Sequence, residues 1–353
     1  MNSAFLSYIK AIIAFSLIIM VHEFGHFIVG KLSNIEVIEA AIGFGPKLLK
    51  TKIKDTIYAI CGIPVGGYVK FLGQDPLEDI PIEKRGVAFQ FKPLKQRFLT
   101  VIAGPLLNYI TAILLLLITI SMGIYFGTTQ IEEVMADTPA QRAGFLVGDK
   151  IIKIDGIKIS EWDDITEIIH KHPEDKVEFQ VERDEKVIEL YPTLTEREGI
   201  GFLGIAPVVE KRRVPFFKAL MMAIESAIKI SYFFFEAILM LITGKIPIEY
   251  ARPLSPIGTV RIMAQTDITY GIQSFLNLLG YISVIIAIGN LLPILPLDGG
   301  HILFMIIEKI RGKKVNSKVM IAVTNIGMII MIAIIIFAFY LDIFNPIDIL
   351  NLK

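Results

Sequence analysis

Cysteine and excess charge are the two features that this sequence has little of. Only one of its 353 residues is a cysteine, Cys61, so an internal disulfide and a cysteine-rich zinc site are both excluded. Basic and acidic residues number 35 each, so the chain has no net charge and no global footprint for nucleic acid. The apolar fraction is 54% and the mean hydropathy is +0.62, which is typical of an integral membrane protein.

Histidine is also scarce, and two of the five histidines lie four residues apart in an apolar run, Leu17–Val29. His22 and His26 follow the pattern His-Glu-x-x-His. On a helix this pattern places both imidazoles on one face, where they can share a zinc ion. Glu23 between them can then act as general base on a zinc-bound water. Ionisable groups inside a membrane segment are costly, which favours a functional site over a chance pattern.

Four segments are long and apolar enough to cross a bilayer, namely 5–29, 98–126, 273–297 and 319–341. The first has no clear small-x-small cleavage site, so we expect a retained span rather than a signal peptide. A fifth segment, 214–243, carries four charged residues on one side of a helix. This stripe favours a helix that lies on the membrane surface.

Basic residues indicate the orientation of the spans. Segment 31–97 has 11 Lys/Arg and segment 308–318 has five, so both are expected to be cytoplasmic. The insert 128–215 has 12 basic and 19 acidic residues, which fits the opposite side. An arrangement of four spans with both termini outside places all three segments on their expected sides. A fifth span at 214–243 would instead place 308–318 outside.

A catalytic zinc ion needs a third protein ligand besides the two imidazoles. Asp298 is the best candidate, because it ends an apolar segment broken by two prolines and is expected at the same depth as the histidines. The alternative is that Asp298 caps a following helix, Ile302–Ile310. His301 is expected to support the site or the fold rather than bind the metal.

Residues 130–210 are predicted to contain short strands and one helix instead of long apolar helices. One helical stretch is predicted near Trp162–His170, and the run Pro139–Gly156 resembles the PDZ domain of bacterial membrane and periplasmic proteases. The resemblance implies strand addition of an extended peptide or chain end, with Gly201 and Gly204 in the ligand-binding loop and edge strand. The alternative is a spacer or steric cover. Short β-rich runs are predicted at Ile131–Val134, Lys150–Ile154, Val177–Val181 and Val187–Tyr191.

Together, His22–His26, the PDZ-like insert and Leu297–Gly300 resemble the site-2 protease family, and most closely its bacterial regulator-of-sigma-E protease group, here with one PDZ domain. Gly43–Pro46 and Ile63–Gly73 resemble the membrane-dipping β-hairpin of that family. Ala103–Asn108 resembles its second-span signature. The resemblance implies a polytopic α-helical membrane protein with four transmembrane helices, this hairpin and one inserted α/β PDZ-like domain.

The resemblance also implies an intramembrane zinc endopeptidase in the bacterial inner membrane. Its Zn²⁺ would be held by His22, His26 and Asp298, with Glu23 as the catalytic base near the cytoplasmic leaflet and the insert on the extracytoplasmic side. Expected partners are membrane lipid and single-span proteins, such as anti-sigma factors or signal-peptide remnants. An upstream site-1-type protease would trim these substrates first. Nucleic acid is not an expected partner.

We therefore expect four regions. These are 1–127, the first transmembrane pair with the metal motif and hairpin; 128–210, the PDZ-like domain; 211–272, an interfacial segment and loop; and 273–353, the second transmembrane pair.

Substrate contacts are expected in two of these regions. Gly66, Gly67 and Tyr68 of the hairpin are expected to bind an unwound substrate strand. Asn290 is expected either to donate hydrogen bonds to the substrate or oxyanion, or to be a structural amide.

Two other functions fit parts of the sequence. A zinc peptidase of the prenyl-peptide-processing kind would use a downstream glutamate as third ligand, and the Leu-Asp-Gly-Gly run at matching depth argues against it. A membrane-anchored PDZ adaptor with a structural metal site has no need of a base, so Glu23 argues against it. Proteolysis by the native chain and by Glu23→Gln separates the adaptor from an enzyme.

Overall fold

The computed structural model describes residues 3–75, 77–245 and 252–347. The chain forms two compact units, one with Met1–Ile120 and Phe216–Lys353 and the other with Ser121–Pro215. The expected regions 1–127, 211–272 and 273–353 include positions that lie outside the described residues, namely 1–2, 76, 246–251 and 348–353.

Each of the two units contains both helices and strands. The described helices are α1 (Ser3–Leu32), α2 (Leu94–Ser121), α3 (Pro139–Ala143), α4 (Trp162–Lys171), α5 (Phe216–Ile242), α6 (Pro256–Asn290), α7 (Asp298–Arg311) and α8 (Ser317–Phe344). The described strands are β1 (Val37–Ile53), β2 (Thr56–Phe71), β3 (Ile124–Val134), β4 (Lys150–Ile154), β5 (Ile157–Lys158), β6 (Phe179–Arg183), β7 (Lys186–Leu190), β8 (Thr195–Arg197), β9 (Ile200–Phe202) and β10 (Ile205–Arg212).

Four helices in the described part of the chain are long and apolar enough to cross a membrane. They are α1 from Ala4 onward, α2, α6 and α8, and each overlaps one predicted span. Two predicted ends are wrong. Segment 98–126 is too long because α2 ends at Ser121 and β3 begins at Ile124. Segment 273–297 is too long because α6 ends at Asn290, before two prolines that cannot donate helical hydrogen bonds.

Helix α5 has one buried and one charged side. Ala219, Ala223 and Ala227 are buried, and α5 contacts α6. Lys229 and Glu225 form an exposed ion pair at 2.7 Å. This distribution is typical of an amphipathic helix, and a position on the membrane surface stays a prediction.

Strands β1 and β2 form a folded-back hairpin that packs against α1. Glu39 pairs with both Lys70 and Ile57, and this double pairing continues over the next three residues. Residues 39–42 therefore lie between two parts of β2, and segment 67–71 forms one edge of the layer. The depth of this hairpin in a membrane stays a prediction.

The second unit contains a six-stranded sheet. Its main path runs β10-β3-β4-β6-β7, and β5 pairs with β4, while β8 and β9 form a separate pair. The predicted strand at Lys150–Ile154 and the predicted helix near Trp162 are confirmed, and Ile131–Val134 is the end of the longer strand β3. The predicted runs near 177 and 187 overlap β6 and β7. Its core is apolar and includes Ile131, Ile151, Ile154, Ile165, Phe179 and Val181.

Candidate metal centre

The histidines of the metal motif lie one turn apart on α1 and are buried, with 7% and 9% of their surfaces exposed. The break after α6 brings Asp298, the first residue of α7, against them. Its Oδ2 atom lies 3.0 Å from His22 Nε2 and 3.3 Å from His26 Nε2. The two Nε2 atoms are 3.1 Å apart. Two side chains from one turn of α1 and a third from the distant helix α7 thus present one ligand atom each to a common point.

The hydrogen bond between His26 and Thr100 determines which ring nitrogen of His26 can bind a metal ion. His26 Nδ1 lies 2.8 Å from the carbonyl oxygen of Thr100 on α2, and a carbonyl can only accept. Nδ1 is therefore the protonated nitrogen, and the neutral ring presents a lone pair from Nε2. A lone pair at 3.3 Å from a carboxylate oxygen is repulsive unless a proton or a metal ion lies between the two atoms.

The donor set fits zinc. Ligand atoms bound at about 2.0–2.1 Å in a tetrahedron lie about 3.3 Å apart, close to the three distances found here. Asp298 Oδ2 is buried and has no hydrogen-bond partner among the described residues, which is costly for a carboxylate without a cation. Helix α7 also lacks a side-chain cap, because Leu297 is its N-cap residue. Asp298 thus faces the imidazoles and does not cap α7.

Glycine at position 104 allows α2 to approach the imidazoles. A Cβ atom built at Gly104 would overlap His26 Nε2 and would lie 2.9 Å from His22 Nε2. A Cβ built at Gly25 of α1 would overlap the backbone oxygen of Ala103. Sequence reasoning did not assign Gly104 to the site, although the second-span motif contains it.

Glu23 lies beside the ligand candidates, at the junction of two cavities. Its Oε2 accepts a hydrogen bond of 2.9 Å from the backbone N–H of Val69 in β2. One cavity, of about 340 Å³, is lined by Glu23, the three ligand candidates, Tyr68, Asn290 and His301. The other, an apolar groove of about 690 Å³ between α1 and the hairpin, is lined by Glu23, Gly67 and Tyr68. Glu23 is thus accessible both from the metal side and from the hairpin side.

The two hairpin glycines that are expected to bind substrate, Gly66 and Gly67, both lie where an added side chain would meet close neighbours. Gly66 has a φ of +74°, and a Cβ there would press on Phe44 and Ile19. A Cβ at Gly67 would lie 2.5 Å from the oxygen of Ala41, so glycine permits the strands to approach closely. These observations explain the glycines through backbone packing, and a role in binding substrate stays a prediction.

Tyr68 is held by a polar cluster within the hairpin. Its hydroxyl donates to Glu39 at 2.5 Å, and Lys47 Nζ lies 2.6 Å from the same carboxyl group. The hydrogen bond to Glu39 raises the pKa of Tyr68 to about 12. Burial acts to raise the pKa of Glu39, but the hydrogen bonds from Lys47 and Tyr68 outweigh it and leave that pKa lowered. Tyr68 therefore stays a neutral donor with a fixed orientation.

The other residues expected to bind substrate lie in two places. Asn290 lines the metal cavity, and its Nδ2 donates to the oxygen of Ile286 at 2.9 Å. Gly201 and Gly204 belong to the second unit, in the chain that leads into the edge strand β10. A Cβ at Gly201 would overlap the oxygen of Ile169, and Gly204 has a φ of +89°. Their part in binding a peptide stays a prediction.

Known proteins with similar sequences extend over almost the whole chain. Residues 10–334 match the model of peptidase family M50. A protein of Clostridium acetobutylicum is 32% identical over 350 residues, covering 98% of this chain and 99% of its own. A protein of Rickettsia conorii is 34% identical, covering 96% of this chain and 99% of its own. The names of both assign them provisionally to the zinc metalloproteases.

Solved structures match part of the chain. The PDZ domain of an SdrC-like protein from Listeria monocytogenes is 24% identical and covers 24% of this chain and 90% of its own, with a TM-score of 0.22. The corresponding domain from Listeria innocua is 26% identical and covers 26% of this chain and 98% of its own, with a TM-score of 0.20.

Proposed function

This chain belongs to peptidase family M50, the site-2 protease family, and from that we propose that it cleaves single-span membrane proteins within the bilayer. It is a zinc metalloprotease with four apolar helices of membrane-spanning length in its described part. The observation that carries the proposal is the convergence of His22, His26 and Asp298 beside Glu23, on a helix that is itself apolar enough to span a membrane.

Each site residue has a role in this proposal. His22, His26 and Asp298 would hold the zinc ion. When bound, zinc polarises the scissile carbonyl and makes the attacking water more acidic. Glu23 takes a proton from that water and later delivers it to the leaving amine.

The substrate must present an accessible carbonyl to this site. A helix in lipid keeps its backbone hydrogen bonds internal, so the substrate has to unwind locally before it can be cut. The hairpin edge at 67–71 adjoins the cavity, which supports pairing of the unwound segment with that edge. Tyr68 and Asn290 line the same cavity. The second N–H of the Asn290 amide is placed to donate to the bound segment, and the Tyr68 hydroxyl, which gives its proton to Glu39, is placed to accept from it.

We place the enzyme in the bacterial inner membrane, with its active site near the cytoplasmic leaflet and the PDZ-like insert outside. The basic segments 31–97 and 308–318 and the acidic insert support this orientation. Its substrates are proposed to be anti-sigma-factor-like proteins or signal-peptide remnants, already shortened on the outer side by another protease. Cleavage would then be the second step of regulated intramembrane proteolysis.

Glu23→Gln tests the proposed function. The chain is co-expressed with a panel of tagged single-span proteins, and loss of each intact band is scored for the native chain and for the variant. We expect cleavage to fall to background in Glu23→Gln while zinc content is kept, because the ligands remain and the base is lost. Glu225→Gln, at an exposed position on α5, is the matched control and should cleave normally. Near-native cleavage by purified Glu23→Gln would refute the assignment of the base.

A further inference from the structure

Two backbone donors at the free edge of the hairpin are occupied by side chains from the metal cavity. The N–H of Val69 donates to Glu23 Oε2 at 2.9 Å, and the N–H of Phe71 donates to Gln74 Oε1 at 3.1 Å. The next N–H, that of Leu72, donates to the backbone oxygen of Glu36 on the inner side. Alternate residues of a strand point their N–H groups to opposite sides, so Val69 and Phe71 both direct theirs to the outer edge.

This free edge is short and adjoins the metal cavity. Strand β2 ends at Phe71, so the edge does not extend beyond the second of these donors. Glu23 and Gln74 both line the cavity that contains the ligand candidates. The edge donors nearest the metal are therefore the two that these side chains occupy.

We propose that Glu23 and Gln74 occupy these two donors in place of a substrate strand, and that pairing of the substrate releases Glu23 for catalysis. The inference rests on the proposed peptidase function and adds a positioning residue, Gln74. An extended substrate segment that adds to the edge needs the N–H groups of Val69 and Phe71 for its own carbonyls. It therefore displaces both side chains, and the Glu23 carboxylate loses a charge-assisted hydrogen bond that ties it to the hairpin.

The consequence is that the base becomes free only when an unwound substrate is paired. A helical segment has no free carbonyl to offer the edge, so it leaves Glu23 bound to Val69. The edge thus couples recognition of extended backbone to proton transfer. Gln74 has no other part in the proposed mechanism; besides this role, its amide could only close the turn that begins at Phe71.

Inactive variants allow the displacement to be measured as binding. Glu23→Gln keeps an oxygen that accepts from Val69, whereas Glu23→Ala leaves that donor free. The probe is a fluorescein-labelled 25-residue Leu/Ala-rich peptide with a central Gly-Ser pair, in dodecyl maltoside micelles. Affinity for the full-length protein is measured by fluorescence anisotropy, and zinc content is measured in parallel. One hydrogen bond gained should make Glu23→Ala bind about three- to tenfold tighter than Glu23→Gln.

Two further variants separate donor release from other effects. Adding Gln74→Ala to Glu23→Gln should tighten binding by a similar factor, whereas a residue that only closes the turn would weaken it or leave it unchanged. Val69→Pro removes the donor at an edge position that tolerates proline. In that background Glu23→Ala and Glu23→Gln should bind equally, which controls for the space that alanine opens.

The outcomes distinguish this inference from the proposed function. Equal affinities of Glu23→Ala and Glu23→Gln, or a difference that persists with Val69→Pro, would overturn the displacement model while the native chain still cleaves its substrates. Absence of peptide binding by every variant would also overturn it. Failure of the native chain to cleave any single-span protein would instead remove the proposed function.

Discussion

At the scale of single residues, Gly104 marks the point where α2 passes closest to the imidazoles. A Cβ there would overlap His26 Nε2, so the space that a metal ion needs depends on the missing side chain. The ring of His26 cannot move away without losing its hydrogen bond to Thr100 at 2.8 Å. A small side chain at this position therefore competes directly with the metal.

Gly104→Ala should lower zinc affinity by about 100-fold, comparable to losing an important contact around a metal site. Zinc content after dialysis against a weak chelator, measured by mass spectrometry, checks this. Gly289→Ala on α6 is the matched control, because its nearest contact is Phe234 Cζ at 4.0 Å. If Gly104→Ala keeps full zinc content, the close approach does not shape the metal site.

Asp298 gives a second test at this scale. Asp298→Ala removes one of the three proposed ligands, so zinc affinity and cleavage should both fall, affinity by more than the roughly 100-fold that loss of an outer-shell partner can cost. Full zinc stoichiometry with retained cleavage would mean that another residue is the third ligand.

At the scale of elements, the residues of the metal centre differ in how far the sequence could predict them. His22 and His26 follow from helical spacing alone, since one turn of α1 brings them together. Asp298 required a topological argument, and the structure brings it within 3.3 Å of both rings, while its role as ligand stays a prediction. The sequence offered no local signal for Gln74, because its proposed role depends on which strand edge its side chain reaches.

The ends of helices and strands were harder to predict from the sequence than their presence, for a physical reason. Hydropathy continues from α2 into β3, so an apolar window cannot separate a helix end at Ser121 from a strand start at Ile124. Gly123, with a φ of +95°, marks the actual break. The run with Gly201 and Gly204 was expected to supply the binding loop and edge strand. In the structure the edge strand β10 begins after it, at Ile205, and its extension to Arg212 depends on pairing with β3.

The second unit contains an ion pair with a buried carboxylate. Asp149 is 1% exposed and accepts from Arg183 through both oxygens, at 2.6 and 2.7 Å, and from the N–H of Leu146 at 2.9 Å. Removal of the guanidinium leaves a buried carboxylate with one donor, which is strongly destabilising. Trp162, the one tryptophan in the sequence, lies in this unit, so its fluorescence reports on the unit within the full chain.

Arg183→Met should reduce the free energy of unfolding of this unit by about 3 kcal/mol. Urea titration followed at Trp162 in detergent measures it. Arg212→Met is the matched control: its partner Glu210 is exposed, so the change should stay under about 0.5 kcal/mol. Equal effects of the two substitutions would show that the Asp149 pair does not stabilise the unit.

At the scale of the whole molecule, the second unit is inserted so that its two ends meet. Tyr125 pairs with Lys211 and Gly127 pairs with Val209, at the start of β3 and the end of β10. Residues 127 and 211 therefore lie on paired strands, two positions from being directly opposite, and segment 128–210 can be replaced by a short Gly/Ser linker without stretching the flanking chain. This allows the proposed roles of the insert to be tested in an otherwise intact protein.

We expect the insert to gate access and not to take part in the chemistry, because in the proposed topology it lies outside while the ligands lie near the inner leaflet. Replacing 128–210 by the linker should let substrates with folded ectodomains be cut, and cleavage of trimmed substrates should change less than about twofold, since small effects are usual away from a site. Cleavage of paired trimmed and untrimmed substrates measures this.

An unrelated folded domain of similar size in place of 128–210 is the control. A steric filter acts by volume, so this chimera should again exclude untrimmed substrates and still cut trimmed ones. A docking site acts by specific strand addition, so its removal would stop cleavage of trimmed substrates, and an unrelated domain would not restore it. If the linker variant still folds and binds zinc but no longer cuts trimmed substrates, the insert is a required docking site and the filter model is wrong.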